Sequence, residues 1–228
     1  TWDFQMRRDR GQAALYAVFS VRLLDTLFND QMPEDLRANT GDLYAAARLM
    51  NDPENAWWDD AGTADVVETR DDILVRAFDE AVQELVRRQG NNPAEWNWGA
   101  LHTATWESNP LGLSGIDLIE DMVNRGPYPV DGGGGIVNAT SWGVDYGTDE
   151  VDLTFTVRAL PSMRMILDVT NWENSRSIHT TGQSGHPYSP HYNDMIPLWT
   201  EINYHPMLWS RTQVERATAD RLILNPAG

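Results

Sequence analysis

Cysteine is absent from the 228 residues, and so is lysine: all 17 basic residues are arginines. The first absence excludes thiol nucleophiles, thiolate zinc sites, iron–sulfur clusters and disulfides within this chain. The second excludes Schiff-base chemistry and a Walker A phosphate loop, so Asp131 followed by Gly132 to Gly135 is not a nucleotide cradle. Positive charge is scarce throughout, and the formal net charge is -17. Such a surface repels phosphate backbones and anionic headgroups, which argues against nucleic acid and membrane surfaces as partners. No apolar run approaches the roughly 20 residues that a membrane helix needs. The start has no signal-peptide pattern, and Thr1 to Phe4 reads as the interior of a longer polypeptide.

What is present suffices for a core, with 41% hydrophobic residues. Helical periodicity dominates residues 1–126. Leu15, Phe19, Leu23 and Leu27 form one stripe over Gly11 to Phe28, and Leu74, Phe78, Ala81 and Leu85 form another from Thr69 onward. Thr69 is placed to cap that second helix, with Asp71 and Asp72 in its first turn and Gly90-Asn91 as its stop. Shorter helices fit Asp42 to Met50 and Ile116 to Asn124. Residues 127–228 are richer in strand signals: Val151 to Val157 alternates, and Met163 to Val169 follows Pro161. Ser210 opens a late helix with Gln213 at the capping position, and Arg221 to Leu224 reads as a short edge strand. Helices first and mainly antiparallel strands second give an α+β class, the two segments together forming one structural unit.

Few side chains assemble into chemistry on sequence grounds alone. Ser184, His186 and Asp194 are triad residue types, but Gly182-Gln183-Ser184-Gly185-His186 misses the final glycine of a nucleophile elbow. A tight turn leading into a helix capped at Ser189, with Pro190 in its first position, accounts for the same residues. His186 and His191 lack a third metal ligand at recognisable spacing, so no metal or other cofactor is assigned to this chain. The acidic pairs Asp59-Asp60 and Asp71-Asp72, and the group Asp149, Glu150 and Asp152, lack calcium-loop spacing and read as solvated element ends. Ten tryptophans leave open a binding module whose indole faces dock a glycan or a protein partner.

The run Gly182-Gln-Ser-Gly-His-Pro-Tyr-Ser-Pro-His-Tyr192, preceded by Pro161-Ser162-Met163-Arg164-Met165, resembles the C-terminal part of the β-chain in the penicillin acylase family of N-terminal nucleophile hydrolases. The agreement runs in order through Trp2-Asp3, Trp57-Trp58-Asp59-Asp60, Trp98-Gly99, Leu101-His102, Gly126 to Val130, Asp168, Trp172, Asp194, Leu198-Trp199, Tyr204 and Pro206. Phe4 departs from it, standing where the family usually has glycine. The resemblance implies part of an αββα sandwich cut from one precursor. It also implies that an N-terminal serine attacks acyl amides with its own α-amine as base. That serine, the oxyanion asparagine and the family's frequent structural calcium ligands are expected upstream of Thr1, so Thr1 is not taken as the nucleophile. The implied partners are the remaining precursor segments, the α-chain and the N-terminal part of the β-chain, together with a small acyl-amide substrate. The implied compartment is the periplasm or the cell exterior. No catalytic residue is assigned here; Arg164, Gln183, His186 and His191 are the candidates for structural support.

Overall fold

The computed structural model describes residues 2–33, 36, 43–144 and 153–225. Thr1, Asp42, Asp149, Glu150, Val151 and Asp152 lie outside the described residues. The chain divides into two compact units, one from residues 1–105 and 126–160, the other from 106–125 and 161–228. The compositional change near residue 127 lies beside one of the three crossings between them.

The first unit is built on α1 (Gly11–Phe28) and α3 (Arg70–Gln89), with α2 (Leu43–Leu49) beside α1. Thr69 caps α3 as its sequence predicts. Its hydroxyl accepts from the Asp72 N–H at 3.3 Å, and an Asp72 carboxylate oxygen accepts from the Thr69 N–H at 3.0 Å. Two donors at the helix start are thereby satisfied reciprocally. At the other end Gly90 adopts φ 85, which stops the helix after Arg87 and Arg88. The buried stripes are shifted from the predicted ones. Ala13, Ala14, Ala17, Ala77 and Ala81 are fully buried, whereas Leu74 is half-buried and Phe78 is exposed. Small side chains line the contact because they let two backbones approach closely, which leaves the larger residues at its margin.

The same unit holds β1 (Thr103–Trp106) paired with β2 (Arg125–Pro129), and β3 (Ser141–Trp142) antiparallel to β4 (Val157–Ala159). The outer ends of β1 and β2, Trp106 and Arg125, belong to the second unit. The strand expected over Val151 to Val157 is corrected: among the described residues only Val157 to Ala159 makes a ladder. Leu153 and Phe155 are buried as the alternation predicts. The Phe155 carbonyl, however, is taken by a histidine ring rather than by a neighbouring strand.

In the second unit β5 (Met163–Ile166), β6 (Arg176–His179) and β7 (His205–Pro206) form an antiparallel sheet in that order. The helices are α4 (Asp117–Val123), α5 (Ile196–Thr200) and α6 (Arg211–Ala217). Ile178, Ile196 and Trp199 form the buried centre. β5 ends sooner than the expected Val169, because the Asp168 carboxylate draws the Thr170 and Asn171 amides into a turn. The helix expected at Pro190 begins instead at Ile196, with Pro197 in its first turn. The N-cap expected at Ser189 is corrected with it: its hydroxyl accepts from the His191 N–H at 3.2 Å, but no helix follows, and the chain closes a turn through Tyr192 N–H to Ser189 C=O. Arg221 to Leu224 is exposed and forms no strand. Ser210 caps α6 as predicted, its hydroxyl accepting from Gln213 N–H. Helices with short antiparallel strands make the fold α+β.

Candidate functional site

The glycine-rich run 182–192 is a closed loop because backbone bonds seal its base. Ser184 N–H donates to the His191 carbonyl at 2.9 Å, and Met195 N–H donates to the Thr181 carbonyl at 2.8 Å. Gly182 is required at that base: a Cβ there would overlap the His191 carbonyl. Inside the loop the Ser184 hydroxyl accepts from the His186 amide at 3.1 Å, and His186 Nδ1 accepts from the Tyr188 amide at 3.2 Å. Accepting there leaves Nδ1 unprotonated. His191 Nδ1 lies 2.8 Å from an Asp194 carboxylate oxygen. Gln183 is exposed and makes no hydrogen bond among the described residues.

Two side chains not singled out from the sequence tie this loop to the segment around α4. The Tyr192 hydroxyl donates to the Val123 carbonyl at 2.5 Å, and the Arg125 guanidinium lies 4.8 Å from the Tyr192 ring centre. Arg125 also reaches the Pro187 carbonyl at 3.4 Å. Arg164 sits elsewhere in the same unit. From β5 it lays its guanidinium 3.7 Å from the Trp199 ring centre and donates to the Trp199 carbonyl at 2.7 Å. A planar cation that both stacks and donates joins sheet to helix in a way that lysine would not.

These positions assemble no triad. Asp194 pairs with His191 rather than His186, and the Ser184 hydroxyl is engaged by an amide rather than an imidazole. No group of three His, Asp or Glu side chains among the described residues is arranged to hold a metal ion. Of the tryptophans, Trp58, Trp96, Trp98 and Trp199 are buried anchors. Trp172 and Trp209 instead stack on each other, ring centres 5.2 Å apart, with Trp209 66% exposed.

The first unit carries the polar cluster that sequence reasoning missed. His102 is fully buried, stacked 4.5 Å from Trp98. Its Nδ1 lies 2.7 Å from the Phe155 carbonyl and its Nε2 lies 2.9 Å from the Thr140 hydroxyl. A carbonyl can only accept, so Nδ1 carries the proton. Burial pushes the ring pKa down to about 4, against smaller opposing effects of the Phe155 hydrogen bond and the Asp131 charge. The Asp131 carboxylate accepts from the Arg8 amide at 2.6 Å, and its carbonyl accepts from Asn138 Nδ2 at 2.8 Å. Gly132 follows with φ 109, where a Cβ would overlap the Asn138 carbonyl; this turn is what the glycine run provides. The only sequence signal for His102 was its place in the ordered resemblance.

A polar cavity of about 480 Å³ opens between α1 and α3, lined by Arg22, Asp25, Asp30, Arg76, Glu80 and Glu84 among others. Burial raises the pKa values of Asp30 and Glu80. Burial also opposes ionisation of Glu84, but the hydrogen bonds from Arg87 and Arg88 outweigh it and lower its pKa.

The penicillin amidase family model matches residues 1–216. The acyl-homoserine lactone acylase QuiP of Pseudomonas aeruginosa is 30% identical over 247 residues, covering 99% of this chain and 28% of that protein. Penicillin acylase 2 proenzyme of Pseudomonas sp. strain SE83 is 32% identical over 233 residues, covering 97% of this chain and 27% of that protein. Among solved structures, a thermostable penicillin G acylase from Alcaligenes faecalis aligns with 96% of this chain and 39% of that one, at a TM-score of 0.45 and 14% identity. The chain belongs to the penicillin amidase family. It spans little more than a quarter of the length of the curated relatives it matches.

Proposed function

We propose that these residues are a structural part of a hydrolase of acyl amides and supply no catalytic group of their own. The observation that carries this reading is that acylases named for two different substrates, acyl-homoserine lactones and penicillins, each match nearly the whole chain. Both substrates join an acyl group to a ring nucleus through a secondary amide. Its hydrolysis releases a carboxylic acid and an amine. The nucleophile is then an N-terminal serine in the remainder of the polypeptide, with its α-amine as base and oxyanion donors alongside it. The partners are the other segments of the precursor, and the site of action is the periplasm or the exterior.

Within this reading Arg164 holds β5 to α5, while Gln183, His186 and His191 belong to a loop whose closure keeps the chain in register. The test is to purify the full-length polypeptide that bears these residues and measure amine release from an N-acyl-homoserine lactone and from a penicillin. Release of amine is expected; a full-length protein inert on both would overturn the reading. Turnover by the 228 residues alone would overturn the non-catalytic role.

A second reading, a binding module, draws on the exposed Trp172–Trp209 stack. It requires Trp209→Ala to abolish binding of a glycan or protein ligand.

A further inference from the structure

The second unit holds a cavity of about 610 Å³. That volume falls within the roughly 300–1,000 Å³ of small-molecule sites. β5 pairs with β6 as Arg164↔Ile178 and Ile166↔Arg176, so these four side chains share one face of the sheet. The first pair packs with α5: Ile178 is buried, and the Arg164 guanidinium lies on Trp199. The second pair, Ile166 and Arg176, lines the cavity together with Leu198 of α5 and with Ile202, Asn203 and Tyr204 of the segment that follows.

The lining divides by chemistry. Ile166, Leu198 and Ile202 form an apolar wall, and Arg176, Asn203 and Tyr204 bring hydrogen-bond donors. The side chains of these three make no hydrogen bond or ion pair among the described residues. No carboxylate lines the cavity, although the chain carries 34 acidic residues and a net charge of -17. A guanidinium kept beside an apolar wall without an acid is an arrangement for an anion that comes from elsewhere.

Ile202 supplies an independent observation. It stands at φ 56 just past α5, where its N–H donates to the Trp199 carbonyl at 3.2 Å and the Asn203 N–H donates to the Leu198 carbonyl at 2.7 Å. These are the two bonds of a helix end that ordinarily takes glycine at its left-handed position. A β-branched residue is the least suited to that backbone. Both bonds close between Leu198 and Asn203, so the strain is set locally. A strained residue retained in a cavity wall points to a use for its side chain there.

We propose that this cavity binds a carboxylate carried on an apolar chain. The Arg176 guanidinium and the Tyr204 hydroxyl donate to the carboxylate, and Ile166, Leu198 and Ile202 cover the chain. Hydrolysis of an acyl amide releases an acid of this class, so the source of the ligand rests on the acylase reading, whereas its recognition rests on the lining alone.

Calorimetric titration of sodium octanoate into the full-length polypeptide tests this, with octan-1-ol as the uncharged control. Octanoate is expected to saturate one site about tenfold more tightly than octanol, and Arg176→Gln is expected to weaken it about tenfold. Equal binding of the two probes would overturn carboxylate recognition. Octanoate binding untouched by Arg176→Gln would seat the acid elsewhere and overturn the site. Absence of saturable binding would overturn it in favour of a cavity filled by the remainder of the polypeptide. Ile202→Gly strips the wall and frees the backbone, so octanoate is expected to bind about threefold more weakly while the thermal midpoint is held or raised. A lowered midpoint with unchanged affinity would show that Ile202 serves packing alone and would count against the proposal. Calorimetry needs no turnover, so the acylase reading fails separately. Octanoate binding by a protein that cleaves no acyl amide keeps the cavity and removes the source of its ligand, and cleavage without octanoate binding does the reverse.

Discussion

His102 Nε2 lies 2.9 Å from the Thr140 hydroxyl, and that hydroxyl lies 2.9 Å from the Asp131 carbonyl, so one hydroxyl proton stands between two acceptors. With His102 neutral, the proton serves either the ring or the carbonyl. Protonating the ring would let Nε2 donate to Thr140 and Thr140 donate to Asp131. It would also place a charge in a fully buried site. The pKa of about 4, below the ordinary 6.5, says that the burial cost dominates.

A folded-state pKa below the unfolded one means that the unfolded chain binds the proton first. The contribution of His102 is complete above pH 6.5 and is lost as pH falls from there toward about 4. Between pH 7 and pH 5 the expected loss is about 2 kcal/mol. Urea titrations at half-unit pH steps check this, and His102→Gln is expected to flatten the slope in that window.

Thr140→Val removes the hydroxyl while keeping the volume, and leaves Nε2 buried without a donor. The expected cost is ~1–3 kcal/mol, with Thr140→Ser closer to wild type. Thermal denaturation at pH 7.5, where the ring is neutral in both states, isolates this effect from the titration.

Phe4 has φ 61, a left-handed backbone that disfavours L side chains by about 1–2 kcal/mol. It is largely exposed, and its ring packs against Trp2 at 5.3 Å between centres. Phe4→Gly relieves the backbone but gives up the ring contact and adds unfolded-state entropy, so a gain below about 1 kcal/mol is expected. Phe4→Val, β-branched at the same angle, is expected to destabilise. Urea midpoints of the pair decide the ordering.

Arg164→Lys keeps the charge but loses the planar stack on Trp199 and the fixed donor to its carbonyl. A loss of about 1–2 kcal/mol is expected. Trp199 fluorescence should shift to the red and become accessible to iodide in the variant.

Gly182→Ala drives a methyl into the His191 carbonyl and opens the base of the loop. A cost of about 1–3 kcal/mol is expected. Amide exchange should rise at Ser184 and Met195, whose bonds seal the loop, while Ile73 to Leu85 in α3 stay protected.

How much of this could be read from the chain varies by element. α1 and α3 were readable because helical periodicity, the Thr69 cap and the Gly90 stop are all local signals. The Ser210 cap was readable for the same reason. The alternation over 153–157 predicted which residues turn inward but not whether a strand forms, because the Phe155 carbonyl found its partner in His102, 53 residues away. Ser189-Pro190 reads locally as a helix start, yet no helix follows it, since the bonds that close 182–192 hold the chain in turns until Ile196. Arg164 and His191, proposed as support positions, stood out in the sequence. Tyr192, although inside the signature, and Arg125 gained meaning only when the loop met Val123 and Pro187.

The sequence by itself determined the excluded chemistries, the long helices with their caps, and the ordered motifs that carry family membership. Each follows from residue type or short spacing. Tertiary structure alone decided that His102 is buried and neutral and that Phe4 occupies a glycine's conformation. Burial and backbone angle depend on what the rest of the chain brings alongside, and no local pattern encodes that.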